Sequence, residues 1–240
     1  MNNVTSWIMI KARLSEIWKE YQGKLDSKKL NEILDRGICY SEIKHESSIL
    51  VTGINPSFRL GDVACNKPVT TFNYQWLVKN GHDSYFHAIN ELFPKNWQPM
   101  VEYLDVLNFR ETDQNTVWEF CKDTKGLEFI AQNLRLNQLI IEQVIRPRLI
   151  VVKNKSSWSL WGKDATFDQN IWMGYQFELE KSLDCGDLCR ITGLIDHPDR
   201  VSYDCLLETN LKGTPVLFTY HSRAGKNPSK ELIQELCTRL

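Results

Sequence analysis

Three polar residues stand directly after short apolar runs of the chain, where side chains of their types could act on a ligand. They are Asn55, Asn108 and His221. An asparagine amide carries a hydrogen-bond acceptor and a donor in one plane, which matches the edge of a nucleobase. A neutral histidine can donate a hydrogen bond to an oxygen that gains negative charge. These residue types favour recognition of a heterocyclic base and stabilisation of an anion as it forms.

Aromatic residues follow the first asparagine. Phe58, Phe72 and Tyr74 lie in residues 56–82, a segment that contains glycine, proline and asparagine and has no clear periodicity. We expect a long loop there, and a loop of that length in a compact domain is usually functional. Aromatic rings can stack on the face of a base. Phe72 is the first candidate for this contact, with Phe58 as its rival.

The sequence lacks the short motifs that mark several common enzyme classes. It contains no G-x-S-x-G, no G-x-x-x-x-G-K-[ST], no G-x-G-x-x-G and no H-E-x-x-H. Its seven cysteines are irregularly spaced, and we expect reduced thiols. Cys185 and Cys189 form a C-x3-C pair that could bind a metal, but no second pair of ligands follows at the usual spacing. We therefore expect no metal and no organic cofactor.

Four short apolar runs must position the polar residues. They cover residues 49–54, 103–108, 149–152 and 216–220, and helical patterns separate them, which predicts parallel β-strands joined by helices. The expected fold class is α/β, a three-layer sandwich with a central four-stranded parallel sheet flanked by helices. Such sheets bind ligands at the carboxyl ends of their strands. Lys153, Asn154 and Lys155 follow the third run, so we expect them at the same edge of the sheet as Asn55, Asn108 and His221.

One domain is expected over residues 1–240. Residues 1–44 would supply N-terminal helices, and residues 45–235 would form the core. Alternation around a turn at residues 184–187 predicts an inserted hairpin at residues 171–195. A short helix near residues 203–211 and a terminal helix begun by Asn227 and Pro228 would complete the chain.

Three stretches resemble motifs of the uracil-DNA glycosylase superfamily. Gly53-Ile54-Asn55-Pro56-Ser57 is similar to its first motif, in the G-x-N-P form of the mismatch-specific and single-strand-selective branches. Residues 103–109 resemble the second conserved strand, which ends in the asparagine that contacts the uracil edge. Residues 216–221 resemble the last strand, which ends in the catalytic histidine. The stretches occur in the family's order, and the likeness spans about residues 45–235.

The resemblance implies a DNA glycosylase that flips uracil or a related deaminated base out of the DNA and hydrolyses its N-glycosidic bond. It assigns catalysis to Asn55, which would position water, and to His221, which would donate to the departing base. It assigns substrate contacts to a further set, which comprises Gly53, Ile54, Pro56, Ser57, Phe58, Phe72, Asn108 and Arg223. The alternative is a non-catalytic nucleic-acid or nucleotide-binding module on the same fold.

Two departures from the family pattern bear on the chemistry. His221 is followed by Ser222 where the family motif has proline, and position 55 holds asparagine where the most active branch has aspartate. Asparagine cannot accept a proton. From the sequence alone, Asn55→Asp is therefore expected to give the faster enzyme.

The charge and hydropathy of the sequence limit the kinds of partner that we expect. The formal net charge is −1, so no overall field attracts the chain to DNA, and a DNA contact must use local cations such as Arg223. We find no signal-peptide pattern and no apolar run of about 18 residues. We therefore expect a cytoplasmic, intracellular monomer that binds uracil-containing DNA and does not enter a membrane.

Overall fold

The computed structural model describes residues 7–43, 49–59, 61–62, 68–81, 83–165, 170–220 and 227–240. Within these ranges the strands are β1 (Ile38–Ser41), β2 (Ile49–Gly53), β3 (Val69–Phe72), β4 (Val101–Asp105), β5 (Leu149–Lys153), β6 (Tyr175–Leu183), β7 (Gly186–Leu194) and β8 (Pro215–Thr219). The α-helices are α1 (Trp7–Tyr21), α2 (Lys28–Leu34), α3 (Tyr74–Asn80), α4 (Ser84–Asn90), α5 (Thr116–Phe120), α6 (Thr124–Ile140), α7 (Trp158–Trp161) and α8 (Lys230–Thr238).

Six strands form one mixed sheet in the order β4-β2-β5-β8-β7-β6. The first four are parallel to their neighbours, whereas β7 is antiparallel to both β8 and β6. The four expected strands are therefore present and parallel to their neighbours, but they belong to a six-stranded mixed sheet and not to a four-stranded parallel one. The predicted hairpin is present as β6 and β7, but it continues the sheet instead of standing apart. Its pairing satisfies the backbone groups along the outer edge of β8, which would otherwise be unpaired.

Helices cover both faces of the sheet, as the sandwich prediction requires. One apolar core joins Leu50, Leu104, Ile150 and Phe218 of the strands to α1, α2 and α6. A second core joins Val51, Tyr103, Val151 and Leu217 to α4 and α8. Neighbouring residues of each strand point to opposite faces, so the two cores separate along every strand. Burial on both faces explains why these strands are almost continuously apolar.

Side-chain caps fix where several helices begin. Asp83 accepts a hydrogen bond from the backbone N–H of Tyr85 and starts α4, as the sequence predicts. Asp123 caps α6 in the same way, through the N–H of Gly126. The terminal helix, in contrast, is capped by Ser229 and not begun by Asn227 and Pro228. The Ser229 hydroxyl accepts from the backbone N–H of Leu232, whereas proline has no side-chain acceptor for the first-turn N–H groups.

Three other local expectations differ from the structure. Residues 56–82 are not one long loop, because β3 and α3 lie within them. Residues 203–211 form turns instead of a short helix. The second strand of the resemblance, β4, covers Val101–Asp105 and ends three residues before Asn108. This last shift changes which side chain reaches the carboxyl edge of the sheet.

A small second sheet packs beside the main one. In it β1 and β3 pair in parallel, with Ser41 opposite Phe72. Phe72 therefore lies at the end of a strand and not at the tip of a loop. No helix in the described ranges has both the length and the apolar character needed to cross a membrane.

Candidate active site at the carboxyl edge of the sheet

A cavity of about 600 Å³ opens at the carboxyl ends of β2, β4 and β5. In the sheet, β4 lies on one side of β2 and β5 lies on the other side, so the order of the strands reverses at β2. Open α/β sheets bind ligands where the connections diverge in this way. The lining of the cavity combines the turn after β2, the end of β4, the turn after β5 and aromatic side chains from β3 and α4.

Asn55 occupies the turn after β2, with its two amide atoms in different surroundings. Its Nδ2 donates to the carbonyl oxygens of Glu111 at 2.6 Å, Pro56 at 3.1 Å and Phe109 at 3.5 Å. Three carbonyl acceptors on one side fix the orientation of the amide. Its Oδ1 is buried and accepts no hydrogen bond from the described residues. Asn55 thus ties two loops together and leaves one acceptor available for a water molecule or a ligand.

Asp105 ends β4 and presents a carboxyl group to the cavity. The hydroxyl of Tyr103 donates to Asp105 Oδ1 at 2.8 Å. Burial raises the pKa of Asp105 to about 7, although the hydrogen bond from Tyr103 opposes this rise. An acid with this pKa is largely protonated below pH 7 and largely ionised above it. The carboxyl group can therefore donate as well as accept hydrogen bonds near neutral pH.

Aromatic rings form one wall of the cavity. Phe72 stacks on Phe86 with ring centroids 5.4 Å apart, and Phe86 meets Tyr103 edge to face at 4.8 Å. Tyr85 also lies edge to face against Tyr103, at 6.2 Å. The ammonium group of Lys153 lies 5.4 Å from the Tyr85 ring centroid, and burial lowers the pKa of this lysine. The wall offers a flat apolar surface with the Lys153 cation beside it, which suits an aromatic heterocycle.

The turn after β5 has a strained conformation. Asn154 has a φ of 80°, which is unfavourable for any residue but glycine. Its side chain compensates by accepting from the N–H of Ser156 at 3.0 Å and donating to Gln114 Oε1. This second contact holds residues 112–115 against β5 and so completes the rim. Strained residues with such compensation concentrate at functional sites.

The structure brings together most of the residues that the sequence assigned to substrate. The first turn and one aromatic residue line the cavity, namely Gly53, Ile54, Asn55, Pro56, Ser57 and Phe72. Lys153 and Asn154, from the third apolar run, line it too. His221 and Arg223 lie outside the described residues. The described chain before them reaches the same edge, because Thr219 of β8 pairs with Lys153.

Two of the assigned residues do not line the cavity. The Phe58 ring lies between the guanidinium groups of Arg36, at 4.5 Å, and Arg110, at 5.0 Å. Asn108 is buried beneath α6, and its Nδ2 donates to Asn133 Oδ1 at 3.2 Å. The expected strand end at Asn108 was three residues too late, so its amide meets a helix and not the open edge. The side chain at that edge is Asp105.

The sequence contains one signal for Asp105, its position inside an apolar run. An aspartate inside an apolar run is almost never fully buried unless it is paired or functional. Tyr85 and Phe86 gave no such signal, because aromatic residues at helical spacing usually belong to a core. Their place beside Tyr103 depends on the packing of α4 against β4.

Comparison with known proteins gives no match to a family model, to a curated protein or to a solved structure.

The structure places Cys185 in the turn before β7 and Cys189 within β7. Cys185 and Cys189 are both buried free thiols. In the part of the chain that the structure describes, no three His, Cys, Asp or Glu side chains group as metal ligands would.

Gly53 makes the close approach of β2 and β4 feasible. It pairs with Asp105 in register, and a Cβ atom there would lie under 3.0 Å from both Asp105 Oδ1 and the Tyr103 hydroxyl oxygen. We expect Gly53→Ala to lower stability by about 1–3 kcal/mol, as overpacking does, and to weaken ligand binding at the cavity. Urea unfolding and oligonucleotide binding measure the two effects.

Gly193→Ala is the matched control, because it also lies in a strand but meets only the flexible side chain of Gln176, at 3.1 Å. Equal losses in the two variants would show that the contact of Gly53 with Asp105 has no special importance.

Asn108→Ala tests whether this amide serves the fold or the ligand. We expect a loss of about 1–3 kcal/mol in the free energy of unfolding, because Asn133 Oδ1 loses its donor inside the core. The preference between uracil and cytosine oligonucleotides should stay unchanged. The exposed Asn80 provides the control Asn80→Ala. A changed base preference with an unchanged free energy of unfolding would show that Asn108 contacts the substrate.

Proposed function

We propose that this protein is a DNA glycosylase that removes uracil or a related deaminated base by hydrolysis of the N-glycosidic bond. The observation that carries the proposal is the free Oδ1 of Asn55 in the same cavity as the Asp105 carboxyl and an aromatic wall. Hydrolytic base excision needs these three elements: an acceptor that orients water, a group that contacts the base edge and a surface on which the base lies.

The cavity supports a flipped base better than a base inside a duplex. Enzymes that act on a base extrude it into a pocket, at a cost of a few kcal/mol for unpairing and unstacking. The aromatic wall of Phe72, Phe86 and Tyr85 can offset part of this cost, since stacking on an aromatic side chain contributes about 1–3 kcal/mol per base. The cavity volume of about 600 Å³ leaves room for the sugar and a water molecule as well as the base.

In this proposal Asn55 orients water and does not activate it. Its Oδ1 can accept a hydrogen bond from the water molecule, but an amide oxygen does not take up the proton at neutral pH. The barrier must then be lowered at the leaving group, where negative charge gathers on the base. We assign this part to His221, as a hydrogen-bond donor to the base oxygen.

A binding module without catalysis is the second candidate. The observation that favours it is that Asn55 Nδ2 is fully engaged with backbone carbonyls, as expected of a residue that only shapes a loop. Such a module would use the same cavity and aromatic wall to hold a base or a nucleotide.

A strand-cleavage assay separates the two candidates. Single- and double-stranded oligonucleotides with one uracil are incubated with the protein and then treated with alkali, which cleaves at abasic sites. The glycosylase produces a fragment from the uracil strand and none from a matched thymine strand. Binding of the uracil strand without any fragment would leave the binding module in its place.

A further inference from the structure

The Asp105 carboxyl group has a defined and asymmetric set of partners. Its Oδ1 accepts from the Tyr103 hydroxyl, and within the described residues nothing donates to Oδ2. Asp105 is 6% exposed, and it lines the cavity. Gly53 opposite leaves no side chain between this carboxyl and the turn that carries Asn55. Asp105 Oδ2 is therefore available to form a hydrogen bond with a ligand.

Building on the proposed function, we propose that Asp105 contacts the hydrogen-bonding edge of the base and selects rings with an N–H beside a carbonyl oxygen. Uracil and hypoxanthine, the deamination products of cytosine and adenine, both present this lactam edge. Thymine shares it, so the exclusion of thymine is not assigned to Asp105.

Tyr103 fixes which carboxyl oxygen carries the proton. Because its hydroxyl donates to Oδ1, a proton on that oxygen would face a donor, and the acidic proton is favoured on Oδ2. Oδ1 then accepts from a ring N–H while the Oδ2 hydroxyl donates to the neighbouring carbonyl oxygen. An amidine edge, as in cytosine or adenine, has these two groups exchanged. For a base held in one orientation, the carboxyl group therefore discriminates between the two edges.

The protonation state of Asp105 makes this recognition depend on pH. Burial raises its pKa to about 7, so the donor on Oδ2 is present below that pH and is lost above it. The ionised carboxylate would place a second acceptor against the base carbonyl. The other titratable or charged groups that line the cavity are Cys39 of β1, Arg59, Asp83, Tyr85 of α4, Tyr103, Asp113 and Lys153 of β5.

Binding to an uncleavable substrate tests the proposal without the chemical step. The probe is a single-stranded oligonucleotide with one 2′-fluoro-arabino uridine, compared with its N3-methyl, cytosine and abasic counterparts by fluorescence anisotropy. For the parent protein we expect uracil affinity to fall roughly tenfold from pH 6 to pH 8, as a group with a pKa near 7 ionises. The N3-methyl probe has no N–H to donate to Asp105, so it should bind more weakly than the uracil probe.

Two variants isolate the carboxyl group and its partner. Asp105→Asn keeps a donor and an acceptor at every pH, so its uracil affinity should not change between pH 6 and pH 8. Tyr103→Phe removes the hydroxyl that fixes the proton, so the preference for uracil over cytosine should narrow. Asp204→Asn, at an exposed surface carboxylate, is the control and should follow the parent.

The outcomes distinguish this proposal from the function on which it rests. If the parent binds the uracil probe better than the abasic probe but Asp105→Asn keeps the pH dependence, Asp105 does not contact the base. If the N3-methyl probe binds as tightly as the uracil probe, Asp105 likewise does not contact the base. If the parent binds uracil and abasic probes equally at both pH values, the cavity does not bind a base. The proposed function then fails and this inference fails with it.

Discussion

Replacement of His221 by alanine should slow uracil excision by about 100- to 1,000-fold, the usual effect of losing one donor to a developing oxyanion. The expectation follows from the different roles that we propose for Asn55 and His221. In the proposed mechanism Asn55 only orients water, so most of the barrier reduction would come from stabilising the departing base. In the sequence, His221 comes two residues after β8, the strand whose last residue, Thr219, pairs with Lys153 at the end of β5.

Single-turnover excision of one uracil oligonucleotide measures this effect apart from product release. Affinity for an abasic-site oligonucleotide should change little, because the donor acts on the base and not on the sugar. His87→Ala, at an exposed histidine of α4, is the control and should retain the parent rate. A His221→Ala variant that excises uracil at the parent rate would remove the histidine from the mechanism.

The apolar runs of the sequence locate most of the central sheet. Three of the four predicted runs match β2, β5 and β8 closely, because strands buried on both faces leave a continuous apolar signal. The fourth run was placed too late along the chain. Val106 and Leu107 continue the apolar run beyond Asp105, the last residue of β4, so the local pattern does not show where the strand ends.

Buried amides of α6 bind the chain just after β4. Asn137 of α6 donates from Nδ2 to the carbonyl oxygen of Val106 at 2.7 Å and so binds the chain just after the strand. Asn133 binds Asn108 from the same helix. These buried amides satisfy backbone and side-chain groups that have left the sheet ladder. A pattern of residues within one segment cannot report such partners, which explains why Asn108 and not Asp105 was assigned to the ligand.

The local sequence pattern also could not predict which distant segments pair as neighbouring strands. The hairpin was predicted from alternation and turn residues, but nothing in those residues specifies that β7 pairs with β8. β1 and β3 likewise pair across about 30 residues, and both are only four residues long. The residues of the first turn line the cavity, and their position could be inferred from the strand before them alone.

Asn55→Asp should be slower than the parent by about 100-fold, opposite to the expectation from sequence. A carboxylate has no hydrogen to donate, so it would set a negative oxygen against the carbonyl oxygens of Glu111, Pro56 and Phe109. An unsatisfied buried polar group costs about 1–3 kcal/mol, and a charged one costs more. The loss of the loop contact and the misplacement of Oδ1 outweigh the gain of a group that can accept a proton from water.

The pH dependence identifies the cause of this loss. A protonated aspartate can donate to one of the three carbonyl oxygens, so the Asn55→Asp variant should recover part of its stability and excision rate as the pH falls. Urea unfolding and single-turnover excision at pH 5 and pH 8 measure both quantities. Asn170→Asp, at an exposed position, is the matched control and should follow the parent at both pH values. An Asn55→Asp enzyme that is faster than the parent at pH 8 would show that the residue acts as a base and that its contacts with the loop carbonyls are dispensable.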